Sequence, residues 1–554
     1  MPSPLILLVA CAQGLLYYLI YRQFELDAWP SQDSVIFMPL LVLITVWPAG
    51  FVFSIGSAPL RSVLLKTSAA TFLLVPFSAY VGWQITPFAD IRAEAIIASH
   101  VASMLVAAFA LLLLLEAWLT KAPLQYPALL AASWRNIIIA AMTAGLCGAL
   151  AIVLSLWSVL FEVIGITFFR TLFSHELFIS VCGACAVATG VTAMRGLSSV
   201  IESIPRLAAS LARLLLPIAV VIELTFISAL PFTGLDPLWA TGNGTALLLA
   251  LMAIILLGTV VSEAQSGHPD SGAPMRTLII VGILTLPILS VLSFYGLSLR
   301  VEQYGWTVER CWAMTLWALL SAFALGFAFA IIRLRLHWRT WAAKVNIYGL
   351  FAVLTLALIT NSPLLDFRKL SLASQIKRIE HEGSDWRRFD FFYAQVALGR
   401  PGWHFTNHLI NDLGKTDPDL AEYIRHPPYR STPSYLDWEQ QLVRTPADLA
   451  IPQGVLSRLQ ALAQAGTRQH VFEVRLRFDG EPSYVVMSEM RSDFVTLSLI
   501  DQTSTGEWRV RNMRGEAGEL PNRATLEAMN AGAAEIDYPT YRALSIDGVR
   551  FEVY

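Results

Sequence analysis

Eleven apolar stretches, each near the length that crosses a bilayer, occupy the first two thirds of the chain. They cover roughly residues 3–20, 35–55, 64–83, 96–119, 136–159, 177–194, 211–230, 244–262, 277–297, 311–331 and 343–361. About 20 apolar residues in a helix span the hydrocarbon layer, and only helices and closed barrels satisfy their own backbone there. The expected fold is therefore a polytopic α-helical membrane protein of about eleven transmembrane helices. The first stretch has no basic leader and no clear small-residue cleavage site, so it reads as a retained span. Phe161–Glu176, between the fifth and sixth spans, leaves room for an interfacial or re-entrant piece.

Charge divides the chain in two. Residues 1–361 hold 17 Lys+Arg and 15 Asp+Glu, and the remaining residues hold 22 and 26. The first part is far below the roughly 25% charge of soluble domains, and neither part is basic enough to suggest nucleic acid. All five cysteines lie in or at the edge of the apolar part, so the tail has no disulfide framework.

The basic residues give an orientation. The even-numbered connections and their flanks carry twelve Lys and Arg, the odd-numbered ones five. By the positive-inside rule the even connections and the N-terminus are cytoplasmic, and eleven spans leave the tail outside, in the periplasm of a bacterial inner membrane. The run Arg333–Lys344, which includes Arg335, anchors the last span on the inside. Arg195–Leu215 alternates apolar and basic residues at helical spacing. It reads equally as an amphipathic surface helix or as an extension of the seventh span.

The tail opens at Asn361-Ser362-Pro363, a helix stop. Helical patterns follow at Leu370–Glu382, in the stretch ending at Leu398, after Asp417 as a possible N-cap, and near Val455–Ala465. Then the period changes to two, over HVFEVRLRFDG, EPSYVVMSEM, DFVTLSLIDQ and EWRVRNMR, with VRFEVY at the end. Asp479-Gly480 is a hairpin signal. The expected organisation is a membrane domain (1–361), a helical subdomain (362–465) and a mainly antiparallel β part (466–554), the last two forming an α+β soluble domain.

The most charged short connection is Leu297–Trp317. It brings Arg300, Glu302, Glu309 and Arg310 around Tyr304, Gly305, Trp306 and Thr307. Ion pairs fixing the loop, a lipid-headgroup site, or docking to the tail are the functional readings. Snorkelling charges in an aromatic belt are the plain one. The orientation places this loop on the tail's side, near the exit of the last span.

Several pieces resemble the bacterial membrane family catalogued as domain of unknown function 4153. They are Arg195-Gly196-Leu197, LARLLLPIAVVI, LRVEQYGWTVERCW, and NSPLLDFRKLSLASQIKRI with its "SxxSQ" element at Ser371–Gln375. The YG-x-T element at Tyr304–Thr307 is the most specific. The resemblance covers about Arg195 to Gln375. It implies a multi-span envelope protein and assigns no chemistry.

Other candidates stand alone. Glu223 lies mid-span, where an ionised carboxylate costs several kcal/mol unless it faces protein or water. Glu25 and Asp27, with Asp33, sit in the first external loop, where lipid-linked-donor transferases often carry acidic residues. Cys182 and Cys185 have C-x-x-C spacing, but inside an apolar span they read as helix packing together with Gly183. His404 and His408 lie four apart with Asp412 nearby, a weak metal set. No phosphate loop or G-x-S-x-G elbow occurs. No cofactor or metal is expected. The leading expectation is a non-enzymatic envelope assembly, scaffold or sensory component whose partners are the bilayer, another envelope protein or a lipid headgroup. The alternatives are a permease using Glu223 and a transferase using Glu25 or Asp27.

Overall fold

The structure is a computed structural model. It describes residues 4–26, 28–88, 91, 93–121, 123–235, 238–239, 243–262, 273–334, 338–381, 386, 389–413, 417–425, 442–446, 449–462, 469–474, 482–489, 495–502, 508–515, 525, 528–529, 534–537, 543–546 and 549–553. Asp27, Arg335, Asp479 and Gly480 lie outside the described residues. Two compact units form, one from Met1–Phe389 with Tyr393–Leu409, the other from Asp390–Phe392 with Ile410–Tyr554.

In the first unit the helices are α1 Pro4–Glu25, α2 Ser34–Ser54, α3 Leu60–Phe72, α4 Val75–Gln84, α5 Glu94–Thr120, α6 Tyr126–Val163, α7 Phe168–Ser174, α8 Glu176–Met194, α9 Ser198–Thr233, α10 Gly244–Ser262, α11 Ala273–Tyr304, α12 Val308–Leu334 and α13 Trp338–Ile359. After the last of these come α14 Phe367–His381, α15 Phe391–Ala397 and α16 Gly399–Leu413. Among the described residues, eleven helices are long and apolar enough to cross a membrane, α3 and α4 counting as one. That span breaks at Leu73-Leu74, just before Pro76, whose ring removes a helical N–H. The short α7 occupies the stretch read as interfacial. α9 is one continuous helix that contains Pro205, so the basic segment after Arg195 is an extension of the seventh span.

Among the apolar clusters of the described residues, three join the most helices. One joins α9 to α13 around Met252, Ile255, Ile283 and Leu286. A second joins α1, α2, α3, α5, α6 and α8 around Phe51, Val63 and Ile139. A third ties α2 and α5 to α13 through Val42, Ala107 and Leu354. The packing of α1 on α8 is close enough that a Cβ on Gly14 would stand 2.5 Å from the Val181 Cα. A Cβ on Gly183 would meet nothing within 4 Å, so the close approach comes from Gly14, and Cys185 Sγ lies 3.5 Å from Cys11 Sγ.

The second unit carries α17 Pro418–Arg425, β1 Leu442–Thr445, α18 Gln453–Leu462, β2 Gln469–Val474, β3 Ser483–Glu489, β4 Val495–Gln502, β5 Trp508–Gly515, β6 Ala534–Asp537, β7 Ala543–Ile546 and β8 Val549–Val553. The Asp417 carboxylate accepts from the Leu420 N–H at 3.0 Å and caps α17. The strand order is β1-β2-β3-β4-β5-β8-β7-β6. Strands β2 to β8 pair antiparallel, and the sheet is mixed because β1, in the stretch expected to be helical, pairs parallel to β2. A parallel neighbour needs a crossover, and α18 supplies it. Val455 and Leu459 of α18 pack on Val471, Tyr484, Val486 and Ile500. The buried Asp501 is held from β5 by Arg509, Nε to Oδ1 2.9 Å, and by Arg511.

Asp501→Asn keeps the shape and removes the charge that both guanidiniums face. A buried carboxylate with half-exposed partners is expected to contribute about 1–3 kcal/mol. In the full chain, amide exchange over Val495–Gly515 should accelerate at least tenfold, while exchange in α11 and α12 stays unchanged.

A hydrogen-bonded clamp on the Tyr304–Thr307 turn

The charged connection is shorter than the hydropathy profile suggests. α11 continues through Arg300 and Glu302 to Tyr304, and α12 starts at Val308, leaving Gly305–Thr307 between them. Gly305 makes the reversal at φ 72°, in the left-handed region that costs an L side chain about 1 kcal/mol or more. A Cβ there would also stand 2.9 Å from Gln375 Nε2 and 3.2 Å from Ser374 Oγ. Thr307 caps α12, its hydroxyl 3.4 Å from the Arg310 N–H, and Glu309 lies exposed in the first turn, where a carboxylate suits the helix dipole.

Most main-chain polar groups of this turn have an identified partner. Gly305 N–H donates to Val301 O at 2.8 Å. The Arg310 guanidinium donates to Tyr304 O at 3.3 Å and Gly305 O at 2.6 Å while lying 5.3 Å over the Tyr304 ring. The remainder comes from α14. Trp306 N–H donates to Ser374 Oγ at 3.0 Å, and Ser371 Oγ donates to Trp306 O at 3.1 Å. Gln375 Nε2 donates to Tyr304 O at 3.1 Å and Trp306 O at 2.9 Å. Ser371, Ser374 and Gln375 are at i, i+3 and i+4, one stripe of one helix. Thus the two most recognisable pieces of the sequence, YG-x-T and SxxSQ, meet in space.

Tyr393 closes the set. Its hydroxyl accepts from the Val308 N–H at 2.9 Å and stands 3.3 Å from Ser371 Oγ. Since Ser371 spends its only proton on Trp306 O, the Tyr393 O–H donates to Ser371. The chain of donation runs Val308, Tyr393, Ser371, Trp306. Burial pushes the Tyr393 phenol up to about 12, so it stays a donor throughout the physiological range. Arg310 thus acts on the carbonyl oxygens of its own turn. Glu302 is exposed on the last turn of α11.

Next to the clamp, α14 begins in a second polar group that sequence reasoning missed. The Asp366 carboxylate accepts from Tyr80 Oη at 2.7 Å and Gln84 Nε2 at 2.6 Å, and caps α14 by accepting from the Arg368 N–H at 3.0 Å. Arg368 is buried, with Nη2 3.5 Å from Ser99 Oγ, and burial lowers its pKa against the opposing pull of Asp366. His100 bridges Asn361 Oδ1 at 2.9 Å and Ser78 Oγ at 3.2 Å. The signal was present as Ser78, Gln84 and His100 inside apolar runs, where a polar side chain needs a partner. Lys369 and Arg400 lie 5.5 and 4.6 Å from the Trp83 ring centre.

The remaining candidates are separate from this cluster. Glu223 is wholly buried in the α9–α13 cluster. Its Oε1 accepts from Thr285 Oγ1 at 3.1 Å, and its Oε2 has no hydrogen-bond partner. Glu25 is exposed at the end of α1, and Asp33 caps α2 by accepting from the Val35 N–H at 3.0 Å. His404 and His408 lie on α16, where His404 Nε2 accepts from Arg400 Nε at 3.2 Å. No group of three His, Cys, Asp or Glu that could hold a metal occurs among the described residues. Comparison with protein-family models, curated proteins and solved structures finds no match to this chain.

Tyr304 O has two donors, Gln375 and Arg310. Gln375→Leu and Arg310→Met should each cost about 1–2 kcal/mol, and the double variant more than their sum, because only then is that carbonyl bare. Thermal unfolding of the detergent-purified chain reads the coupling. Gly305→Ala should lower stability by about 1–3 kcal/mol and speed proteolytic cleavage near Pro363, as should charge reversal at Arg300 and Arg310 together. Unchanged cleavage would mean that the turn does not hold α14.

Proposed function

We propose that this chain is a multi-pass protein of a bacterial inner membrane, related to the family of domain of unknown function 4153, acting non-enzymatically as an envelope assembly, scaffold or sensory component. Its N-terminus is cytoplasmic and its C-terminal unit extracytoplasmic. The observation that carries this reading is the clamp. The turn between two apolar helices spends several of its backbone hydrogen bonds on the helix that follows the last span. Such an arrangement fixes a chain segment to the bundle and commits the main-chain groups it uses to structure rather than to a substrate. The Lys and Arg asymmetry supports the orientation.

The filled surroundings of Glu223 weigh in the same direction. A permease needs a polar path to its intramembrane carboxylate, whereas Glu223 is enclosed by the α9–α13 cluster. Four grooves in the bundle surface, two of them near Glu116 and Arg135, include neither Glu223 nor Glu25. One observation does favour transport: the partnerless Oε2 of Glu223 is a buried polar atom of the kind that proton-coupled sites use.

Two experiments test these readings. A C-terminal alkaline phosphatase fusion should be active and a C-terminal fluorescent-protein fusion dark, with the chain resisting carbonate extraction; the reverse pair would overturn the orientation. Glu223→Gln keeps the acceptor for Thr285 and removes the ionisable group. The scaffold reading expects unchanged or higher thermal stability, by up to about 2 kcal/mol, with normal envelope phenotype. Loss of function in a stable Glu223→Gln protein would favour the permease.

A further inference from the structure

The opposite end of the bundle holds charged groups in an open chamber. Here α2 and α5 end and α6 and α9 begin. A chamber of about 300 Å³ is lined by Ser54, Ser57, Glu116, Arg135, Asn136 and Arg195, with Asn136 and Ser54 themselves buried. Glu116 pairs with Arg135. Arg195 uses Nη1 on Val52 O and Ile55 O, both at 3.1 Å, and so caps the end of α2. Its Nε and Nη2 make no hydrogen bond among the described residues, with Glu116 the nearby opposite charge. Two guanidiniums against one carboxylate leave the chamber with a surplus positive charge.

The chamber does not end in protein. Phe53, Leu112 and Asn136 also line an almost wholly apolar crevice of about 380 Å³ between α2, α3, α5 and α6. Ala70, Leu111 and Leu115 of that crevice line a second apolar groove of about 700 Å³, edged by Lys66 and Lys121. In the first crevice Thr67 Oγ1 is buried with no partner. A free inorganic anion would use the chamber and leave both crevices empty. A peptide would need backbone partners that the apolar walls lack. An amphiphile with a negative head and a hydrocarbon tail uses all of it.

We propose that this chamber and crevice bind one anionic phospholipid, its phosphate against Arg195 and Arg135 and an acyl chain between α2, α3, α5 and α6. The proposal rests on the membrane reading above, but its failure is separable: carbonate extraction reports the membrane, and lipid selectivity reports the site. Guanidinium suits the phosphate because its fork donates two parallel hydrogen bonds. The site differs from the Tyr304–Thr307 turn, whose groups are committed to α14.

The test uses the full chain in dodecyl maltoside, exchanged against phosphatidylglycerol or phosphatidylcholine and read by native mass spectrometry. Phosphatidylglycerol should be retained about tenfold better than phosphatidylcholine, and Arg195→Gln should remove about that factor while Arg195→Lys keeps most of it. Ala140→Phe, at an exposed position of the crevice wall, should reduce retention of both lipids without touching the charge. Its unfolding temperature and that of Arg195→Lys serve as fold controls should Arg195→Gln fail to fold. Equal retention of the two lipids by the wild-type chain, or retention indifferent to Ala140→Phe, would overturn the proposal. So would displacement by inorganic phosphate alone with Ala140→Phe silent, which would mark a free-anion site.

Discussion

The backbone of a three-residue turn decides how the first unit ends. Two long apolar helices, α11 and α12, must reverse direction at Gly305–Thr307, and a reversal leaves helix-terminal carbonyl and amide groups without intrahelical partners. Buried without partners, such groups cost about 1–3 kcal/mol each. Here Arg310 of α12 repays two carbonyls, two serines and a glutamine of α14 repay further groups, and Tyr393 takes the Val308 N–H. The turn and α14 are thus conditional on each other. α14 is hydrophilic and short, and its position depends on this stripe, on the Asp366 cap and on Trp312 meeting Phe367 edge to face at 5.2 Å.

The same logic extends along α14 toward the bundle interior. Asp366, Arg368 and Ser371 occupy successive positions on the buried side of its first turns, and each reaches a different element: Tyr80 and Gln84 of α4, Ser99 of α5, and the α11–α12 turn. Below them, His100 and Asn361 join α5 to the end of α13. A polar seam therefore runs across the end of the bundle where α4, α5, α11, α12 and α13 meet. Apolar packing would hold these helices together with little positional selectivity. The seam, with its directional hydrogen bonds between named partners, selects a register.

The spans were legible because about 20 apolar residues leave one structural option in hydrocarbon. Strands β2, β3, β4, β5 and β8 were legible from period-two alternation, and Asp417 from cap chemistry. What escaped had physical reasons. β1, β6 and β7 are four residues each, too short to show a period. Arg300–Tyr304 looked like loop because hydropathy reports environment, and a charged helix end leaving the apolar layer scores as loop. Both halves of the clamp were visible as motifs. Their contact was not, because Trp306 and Ser371 are 65 residues apart and a serine's partner is never written in its own neighbourhood. The polar residues within spans, Ser78, Gln84 and His100, were the readable signal passed over.

The two ends of the bundle are chemically unlike, and that difference bears on where the protein acts. At the turn end the donors and acceptors of Tyr304–Val308 pair with α14 and Tyr393, and cations rest on Trp83. Anything binding there must displace bonds already made. At the chamber end, Arg195 holds the C-terminus of α2 with one nitrogen and keeps two more for something else, and the polar space opens into hydrocarbon-lined crevices. Occupancy of that chamber would bear on Arg195, hence on the end of α2, and α2 packs on α4, whose Gln84 reaches Asp366 at the other end. The packed pair α2 and α4 thus runs from the open chamber to the closed seam. The turn end is held by bonds already made, and the chamber end is where the proposed lipid would find its hydrogen bonds.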